Sequence, residues 1–420
     1  MTQSTVAQAF AREWPILVAI LTRDLGDLGL AEEAAQEAFT EAAARWRPGA
    51  TPDQPGAWLL TTARRKAIDR VRRDRRFTER LPALLELTST PQRQPTELID
   101  DQLALIFGCC HTSLNTEAQI ALTLRQVCGL STSQIAEAFL IAPATMAKRL
   151  VRAKDKIRKA KVPFTVPDIE ALPERLDAVL QVVYLIFTAG HTNAEGPGLV
   201  RGDLCDEARW LTEVISGLLN DRSETAANAT DWTRGRAEAL GLKALMLFTD
   251  ARRAGRSDDD GRLVLLENQD RSRWNRQMVG EGQAIMVEAL SVGVVGPYQL
   301  QAAIAALHSS ATSWDQTDWR SILWLYDRLV RVTPNPVVKL NRAVALSMHT
   351  GPGAGLAAID ELLADGHLSQ YRYLHAARAD LLRRLGRTEQ AAVEYHAALD
   401  LGGNEAERRF LTDRLAALGP

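Results

Sequence analysis

Apolar residues recur at three- and four-residue spacing through almost the whole of this 420-residue chain, and no alternating run of β-branched residues interrupts them. That period puts one apolar stripe on each helix and leaves no segment patterned as a strand, so the expected fold is all-α. Alanine and leucine, the best helix formers among apolar residues, carry most of the stripes. The length exceeds one ordinary domain of about 100–200 residues, so several helical units in series are expected. With 46% hydrophobic residues, global disorder is excluded. Four cysteines make no disulfide framework, which points to a reducing, cytoplasmic setting. The opening MTQSTVAQAF has neither a basic start nor an apolar core, so no secretory signal is expected. The apolar run Ile16 to Leu21 falls far short of the roughly 20 residues needed to span a bilayer, so no membrane association is expected.

A formal net charge of −2 hides an asymmetry. Residues 1–162 hold 23 Lys/Arg against 18 Asp/Glu, whereas residues 163–420 hold 27 against 34. The positive charge is concentrated in two stretches. Arg64 to Arg80 carries nine basic and three acidic residues, and Thr145 to Lys161 carries eight basic residues against Asp155. A polyanionic partner for the first third follows from two such runs, each beside a helical unit, although a single run would read as a solvated face.

Residues 31–46 (AEEAAQEAFTEAAARW) form an amphipathic pattern, with Ala31, Ala34, Ala35, Ala38, Phe39 and Ala42 on one side and Glu33, Glu37 and Glu41 opposite. The Pro/Gly-rich stretch 47–57 is a loop. A second helix from Trp58 to about Arg76 groups Leu59, Leu60, Ala63, Ala67 and Val71 in one arc, with Arg65, Arg72, Arg73 and Arg76 opposite. Residues 81–105 have the composition of a linker. The segment 116–160 then carries the sharpest local pattern. A helix ends at Cys128-Gly129, Ser131 and Gln134 make a capping box, and Pro143 opens a helix with Met146, Leu150, Ala153 and Ile157 on its core face. Thr145, Lys148, Arg149 and Arg152 are displayed elsewhere on it. Two helices joined by a short turn, the second basic near its start, form the helix-turn-helix arrangement that enters the major groove. An ordinary helical hairpin has the same outline.

The ordered set AEEAAQEAFTEAAARW, WLLTTARRKAIDRVRRDRR, linker and STSQIAEAFLIAPATMAKRLVRAK resembles the DNA-handling part of extracytoplasmic-function (ECF) sigma factors of bacterial RNA polymerase, within the sigma-70 family. The resemblance implies region 2 over 1–80, a linker over 81–105 and region 4 over 106–162. It implies that Glu33, Gln36, Glu37 and Phe39 lie at or beside the contact with the β′ clamp helices, with the β flap as a further polymerase contact. Residues 47–57 with Arg64, Arg65, Arg72 and Arg73 would take the −10 promoter element. Thr145, Lys148, Arg149 and Arg152 would read the −35 element.

Minimal members end soon after the helix-turn-helix, whereas about 258 residues follow Lys161 here. One subgroup carries a tetratricopeptide-repeat-like extension, and 163–420 resembles it, including LVLLENQDRSRW and ARADLLRRLGR. That resemblance implies an extension needed for function in place of a separate anti-sigma protein, and open to a regulatory protein or ligand. Near the end, Ala379, Leu382, Gly386, Ala391, Tyr395 and Ala398 fit a helical-pair repeat, with Ala345, Met348 and Ala357 thirty-four positions before Ala379, Leu382 and Ala391. No period is legible over 163–310. The acidic balance of the extension also allows it to cover part of the basic surface in the free protein.

No catalytic constellation, metal site or cofactor is expected. Cys109, Cys110 and His111 are adjacent, with Cys128 further on, but adjacent helical side chains diverge by about 100° and lack the convergent spacing of zinc ligands. Gly190-His191-Thr192-Asn193 has no nucleophile or carboxylate pair to work with. The stretch Glu267 to Trp274 reads equally as a salt-bridged turn or a recognition site, and Ser257 to Gly261 as an exposed turn lacking the ligand pattern of a calcium loop. Two other classes stay open: a helix-turn-helix regulator acting without polymerase, and a helical-repeat adaptor whose basic runs are only solvated.

Overall fold

The computed structural model describes residues 2–46, 52–73, 95–139, 141–168, 170–191, 202–225, 229–258, 260, 262–293, 295–366 and 368–418. Among them are eighteen α-helices, three short 3-10 turns and no strand, with an isolated bridge between Ser257 and Leu263. Among the described residues, no helix is long and apolar enough to cross a membrane. The chain divides into two compact units, residues 1–186 with 217–235, and residues 187–216 with 236–420. The first unit therefore includes stretches of chain beyond residue 162.

In the first unit, α1 (Thr2–Leu25), α2 (Leu28–Arg45) and α3 (Pro55–Arg73) pack on one another. Asp27 starts α2 by accepting the Leu30 amide at 3.0 Å, satisfying one of the donors a helix start leaves unpaired. The alanine stripe lets the helices approach closely: Ala31, Ala35, Ala38, Ala42, Ala63 and Ala67 are all essentially buried. Within the predicted arc of α3, Leu59, Ala63, Ala67 and Val71 are buried, while Leu60 is half-exposed. Phe39 is 6% exposed, its ring 4.9 Å from Phe10 and 6.0 Å from Trp14.

Next come α4 (Pro95–Cys109), which packs on α1, then α5 (Thr116–Gln126), α6 (Thr132–Ala138) and α7 (Pro143–Lys159). Asn115 caps α5 through the Ala118 amide at 3.1 Å. The capping box at α6 is formed as its sequence dictates. The Ser131 amide donates to Gln134 Oε1 at 2.9 Å, and the Gln134 amide to Ser131 Oγ at 3.2 Å. Gly129 turns the chain with φ +73°, and a side chain there would run into the rings of Phe10 and Trp14. Helices α8 (Leu172–His191), α9 (Gly202–Thr225) and α10 (Ala229–Asp250) contribute residues to both units.

The second unit continues as α11 (Arg276–Leu290), α12 (Pro297–Ser310), α13 (Trp319–Val332), α14 (Pro336–His349), α15 (Pro352–Ala364), α16 (Arg372–Arg384), α17 (Thr388–Asp400) and α18 (Glu405–Ala416). Asn275, Asp318, Asn335 and Asn404 each accept a backbone amide of the following turn and fix four of these starts. Consecutive helices pack as pairs around a shared core containing Leu340, Ile359, Leu374, Leu382 and Tyr395.

The repeat is real, but its register differs from the thirty-four-residue spacing. Pro336 and Arg372, like Pro352 and Thr388, open equivalent helices thirty-six residues apart. Ala343, Gly355 and Ile359 thus correspond to Ala379, Ala391 and Tyr395, and all six are buried, whereas Ala357 is exposed. The two extra residues fall in the longer connection between α15 and α16, outside the helices whose pattern carries the repeat.

Candidate nucleic-acid interface

Helix α7 is held by one face and leaves the other open. Met146, Leu150, Ala153 and Ile157 are buried, while Thr145, Lys148 and Arg152 are exposed. Arg149 is half-buried and paired with Glu117 of α5 at 2.9 Å. Pro143 occupies the first position of α7, where its missing N–H costs nothing. Three polar side chains within two turns, one of them a hydroxyl and two cationic, fit base edges and phosphates in a major groove.

On α3, Arg65 and Arg72 are exposed. Arg64 differs from them: it donates to Asp24 of α1 at 2.9 and 3.3 Å and is only 14% exposed. Arg73 ends the helix, with its side chain outside the described residues, as are 47–51 of the predicted loop, Arg76 and 81–94 of the predicted linker. Glu33 and Glu37 lie on the outer side of α2, both facing Arg70 of α3, at 2.7 and 3.5 Å. Gln36 is half-buried and donates to Glu32 at 3.0 Å. Phe39 is turned inward onto Phe10 and Trp14. The structure thus gathers Glu33 and Glu37 around one arginine, and separates them from Phe39.

Sequence reasoning missed Glu32. It is 6% exposed and accepts from Arg125 at 2.6 Å, Gln126 at 2.7 Å and Lys154 at 3.0 Å, besides Gln36. Burial raises its pKa, but Lys154 and Arg125 together with the hydrogen bonds bring it below the usual carboxylate value. Around it, Trp14 Nε1 donates to the Gln126 carbonyl at 3.1 Å, and the Arg125 guanidinium lies 5.8 Å from the Trp14 ring centre. The network therefore ties α2 to α5 and α7. The available signal was Glu32's place on the apolar stripe, four residues after Leu28 and three before Ala35.

Cys109 and Cys110 are buried, and burial pushes both thiols up, that of Cys110 to about 11. His111 shares its ring nitrogen with Ser113 at 3.0 Å. In the second unit, His191, Cys205 and Asp250 bring one ligand atom each within 4.8 Å of one another, a convergence across three helices that no local motif announces. Asp250 already receives Arg253 at 2.6 and 2.8 Å, and burial beside Arg256, Arg252 and Arg253 pushes His191 down to about 2. The surroundings are cationic, which does not suit a metal ion.

A helix-turn-helix with an open basic face, in one unit with a second basic helix, is the electrostatic footprint of a nucleic-acid-binding protein. Residues 10–77 match the family Sigma-70 region 2 and residues 104–157 match Sigma-70, region 4; residues 175–230 and 228–290 match a family of unknown function, DUF6596. The chain is 41% identical over 415 residues to the uncharacterized protein R00370 of Rhizobium meliloti, covering 96% of this chain and 94% of that one. It is 30% identical over 151 residues to the ECF RNA polymerase sigma factor SigK of Mycobacterium sp. strain JLS, covering 34% of this chain and 74% of SigK. The SigK of Mycolicibacterium vanbaalenii is 28% identical over 146 residues, 33% of this chain and 71% of that protein. The chain belongs to the ECF sigma factors of the sigma-70 family. Family membership implies association with core RNA polymerase and promoter DNA, in a family of non-enzymatic transcription factors.

Proposed function

We propose that the chain is a cytoplasmic initiation factor that binds core RNA polymerase, directs it to its promoters and needs its helical extension to do so. The observation that carries this reading is the face of α7, where Thr145, Lys148 and Arg152 stand exposed opposite a fully buried core stripe. In this reading they take the −35 element. Arg149, tethered to Glu117, contributes once that pair is exchanged for phosphate. Arg65, Arg72 and Arg73 meet the −10 region, while Arg64, tied to Asp24, sets α3 on α1. Glu33, Gln36 and Glu37 offer the polymerase clamp a polar surface, supported from behind by Phe39. The match of residues 10–77 to region 2 supports this reading over a regulator acting without polymerase.

Binding of the reconstituted holoenzyme to a selected promoter should fall steeply with salt, because each Lys or Arg on a phosphate releases counterions. Lys148→Ala and Arg152→Ala are each expected to weaken promoter binding about tenfold, and the salt slope should drop by about one for each phosphate deprived of its cation. Fluorescence anisotropy across a salt series reads both. Unchanged affinity and slope in the double variant would contradict the placement of the −35 contact on α7.

A further inference from the structure

Helix α13 buries one side and leaves a cationic, aromatic face on the other. Ile322 and Leu329 are buried, with Leu325 and Tyr326 packed against the same small core. Opposite them Arg320, Trp324, Arg328 and Arg331 are all exposed. At 100° per residue and 1.5 Å of rise, these four share an arc of about 80° and span about 17 Å of helix. Of the nine tryptophans, all of them among the described residues, Trp324 is the exposed one, at 55%. The Arg328 guanidinium lies over its ring, 5.0 Å from the centre, which holds cation and indole together.

The charge of this hairpin runs against that of its surroundings. Residues 319–349, which make α13 and α14, hold five Lys/Arg and one Asp, in an extension where acids outnumber bases by 34 to 27. The one acid, Asp327, is already paired with Arg342 of α14 at 2.6 Å. Lys339, three residues before Arg342 and so on the same side of α14, is exposed. Asp318 at the start of α13 is held by Ser321 at 2.6 and 3.0 Å, with Arg320 acting on it less strongly. Among the described residues, Arg328, Arg331 and Lys339 form no ion pair.

Exposed cations on their own are a solvated face; an exposed indole set among them asks for a partner that carries both anions and flat rings. Single-stranded nucleic acid has that composition, with phosphates for the guanidinium groups and unpaired bases to stack on the indole. A duplex keeps its ring faces inside the stack and would leave Trp324 in water. Arg, Lys and the indole N–H are donors only, so the face offers an RNA 2′-hydroxyl no acceptor. Family membership already brings the chain to promoter DNA.

We propose that this face of the α13–α14 hairpin is a docking surface for single-stranded DNA, with phosphates on Arg320, Arg328, Arg331 and Lys339 and a base stacked on Trp324. The surface belongs to this unit alone and goes beyond the promoter contacts of α3 and α7.

The test is photocrosslinking of the full chain to an oligothymidylate of about twelve nucleotides that carries one 5-iododeoxyuridine, with the crosslinked peptide identified by mass spectrometry. A crosslink on Trp324 is expected. The Arg328→Gln, Arg331→Gln double variant should lower its yield at least about fivefold while leaving the helical circular dichroism unchanged, because both side chains are exposed. Annealing the complementary strand should lower the yield by a similar factor, and polyglutamate at matched charge should leave it intact. Crosslinks confined to residues 1–162, or a Trp324 yield unmoved by the double variant, would overturn the proposal. So would equal yields from duplex or from the matching 5-iodouridine RNA strand. Loss of the crosslink to polyglutamate would overturn it in favour of an acidic peptide.

Discussion

A chain cut after Val162 is expected to be unstable and inactive, not a liberated minimal initiation factor. The reason lies in which residues complete the first unit. Leu172, Leu176, Val179, Leu180 and Val183 of α8 are each 4% exposed or less, and all belong to that unit. So do Leu218, Leu219 and Trp232, which lie further along the chain and are also buried. Arg175 adds a hydrogen bond from Nη2 to the Phe107 carbonyl at 2.5 Å, joining α8 to the end of α4. Burying one such apolar side chain is worth about 1.5–3 kcal/mol. Five of them are comparable with the whole net stability of a domain, about 5–15 kcal/mol. The truncated chain should therefore melt at least about 10 °C below the first transition of the full chain, or fail to stay soluble. A 1–162 fragment that melts cooperatively at the full chain's temperature would show that α8 is dispensable to the unit. This expectation also separates two roles for the extension. Loss of activity on truncation would follow from packing alone, so a regulatory role has to be tested with the chain intact.

The second large effect is expected at Glu32. Glu32→Ala removes the acceptor shared by Arg125, Gln126 and Lys154 and leaves two cations facing a buried gap. Removing one partner of a buried ion pair costs about 3–5 kcal/mol. With Arg125 15% and Lys154 22% exposed, and so partly solvated, the lower end of about 3 kcal/mol is expected. The pH dependence has a fixed sign. Because the folded pKa lies below the ordinary 4.5, the contribution is complete above that value and disappears as pH falls through the folded one. Urea unfolding at pH 7 and again near about pH 3.5 should show the gap between wild type and Glu32→Gln closing at the acid end. A gap that stays constant between the two conditions would mean that Glu32 is not the charged centre of the network. The same substitution should increase hydrogen exchange along α5 and α7, since α2 then holds them less firmly.

The parts of this protein legible from sequence are those where one helix settles its own conformation. The capping box at Ser131 and Gln134, the proline opening α7 and the three- and four-residue spacing of Met146, Leu150, Ala153 and Ile157 are local, and the structure contains each of them. The helix beginning at Trp58 in the sequence pattern starts three residues earlier, at Pro55, because proline is favoured in the first turn. What sequence could not give were contacts between elements distant in the chain. Glu32 meets Arg125 and Lys154 across about ninety to one hundred and twenty residues, and its neighbours in sequence are an alanine stripe and an acidic face, which invite an exposed reading. Arg64 follows the same pattern: its basic neighbourhood suggests phosphate, yet Asp24, forty residues away, claims it. The repeat register slipped by two because small residues recur often enough to match at more than one offset. The stretch from Glu267 to Trp274 balanced between a turn and a recognition site, and it has some of both. It forms two 3-10 turns, with Arg271 and Trp274 buried and Leu266–Glu267 lining a cavity.

The central claim is that this chain gives core RNA polymerase its promoter choice, and run-off transcription tests it most directly. Purified core enzyme, the intact chain and a library of genomic promoter fragments should yield discrete start sites that are absent with core enzyme alone. The Lys148→Ala, Arg152→Ala double variant should lose those starts while still co-purifying with the polymerase. No start from the intact chain, together with no co-purification with core enzyme, would contradict the account.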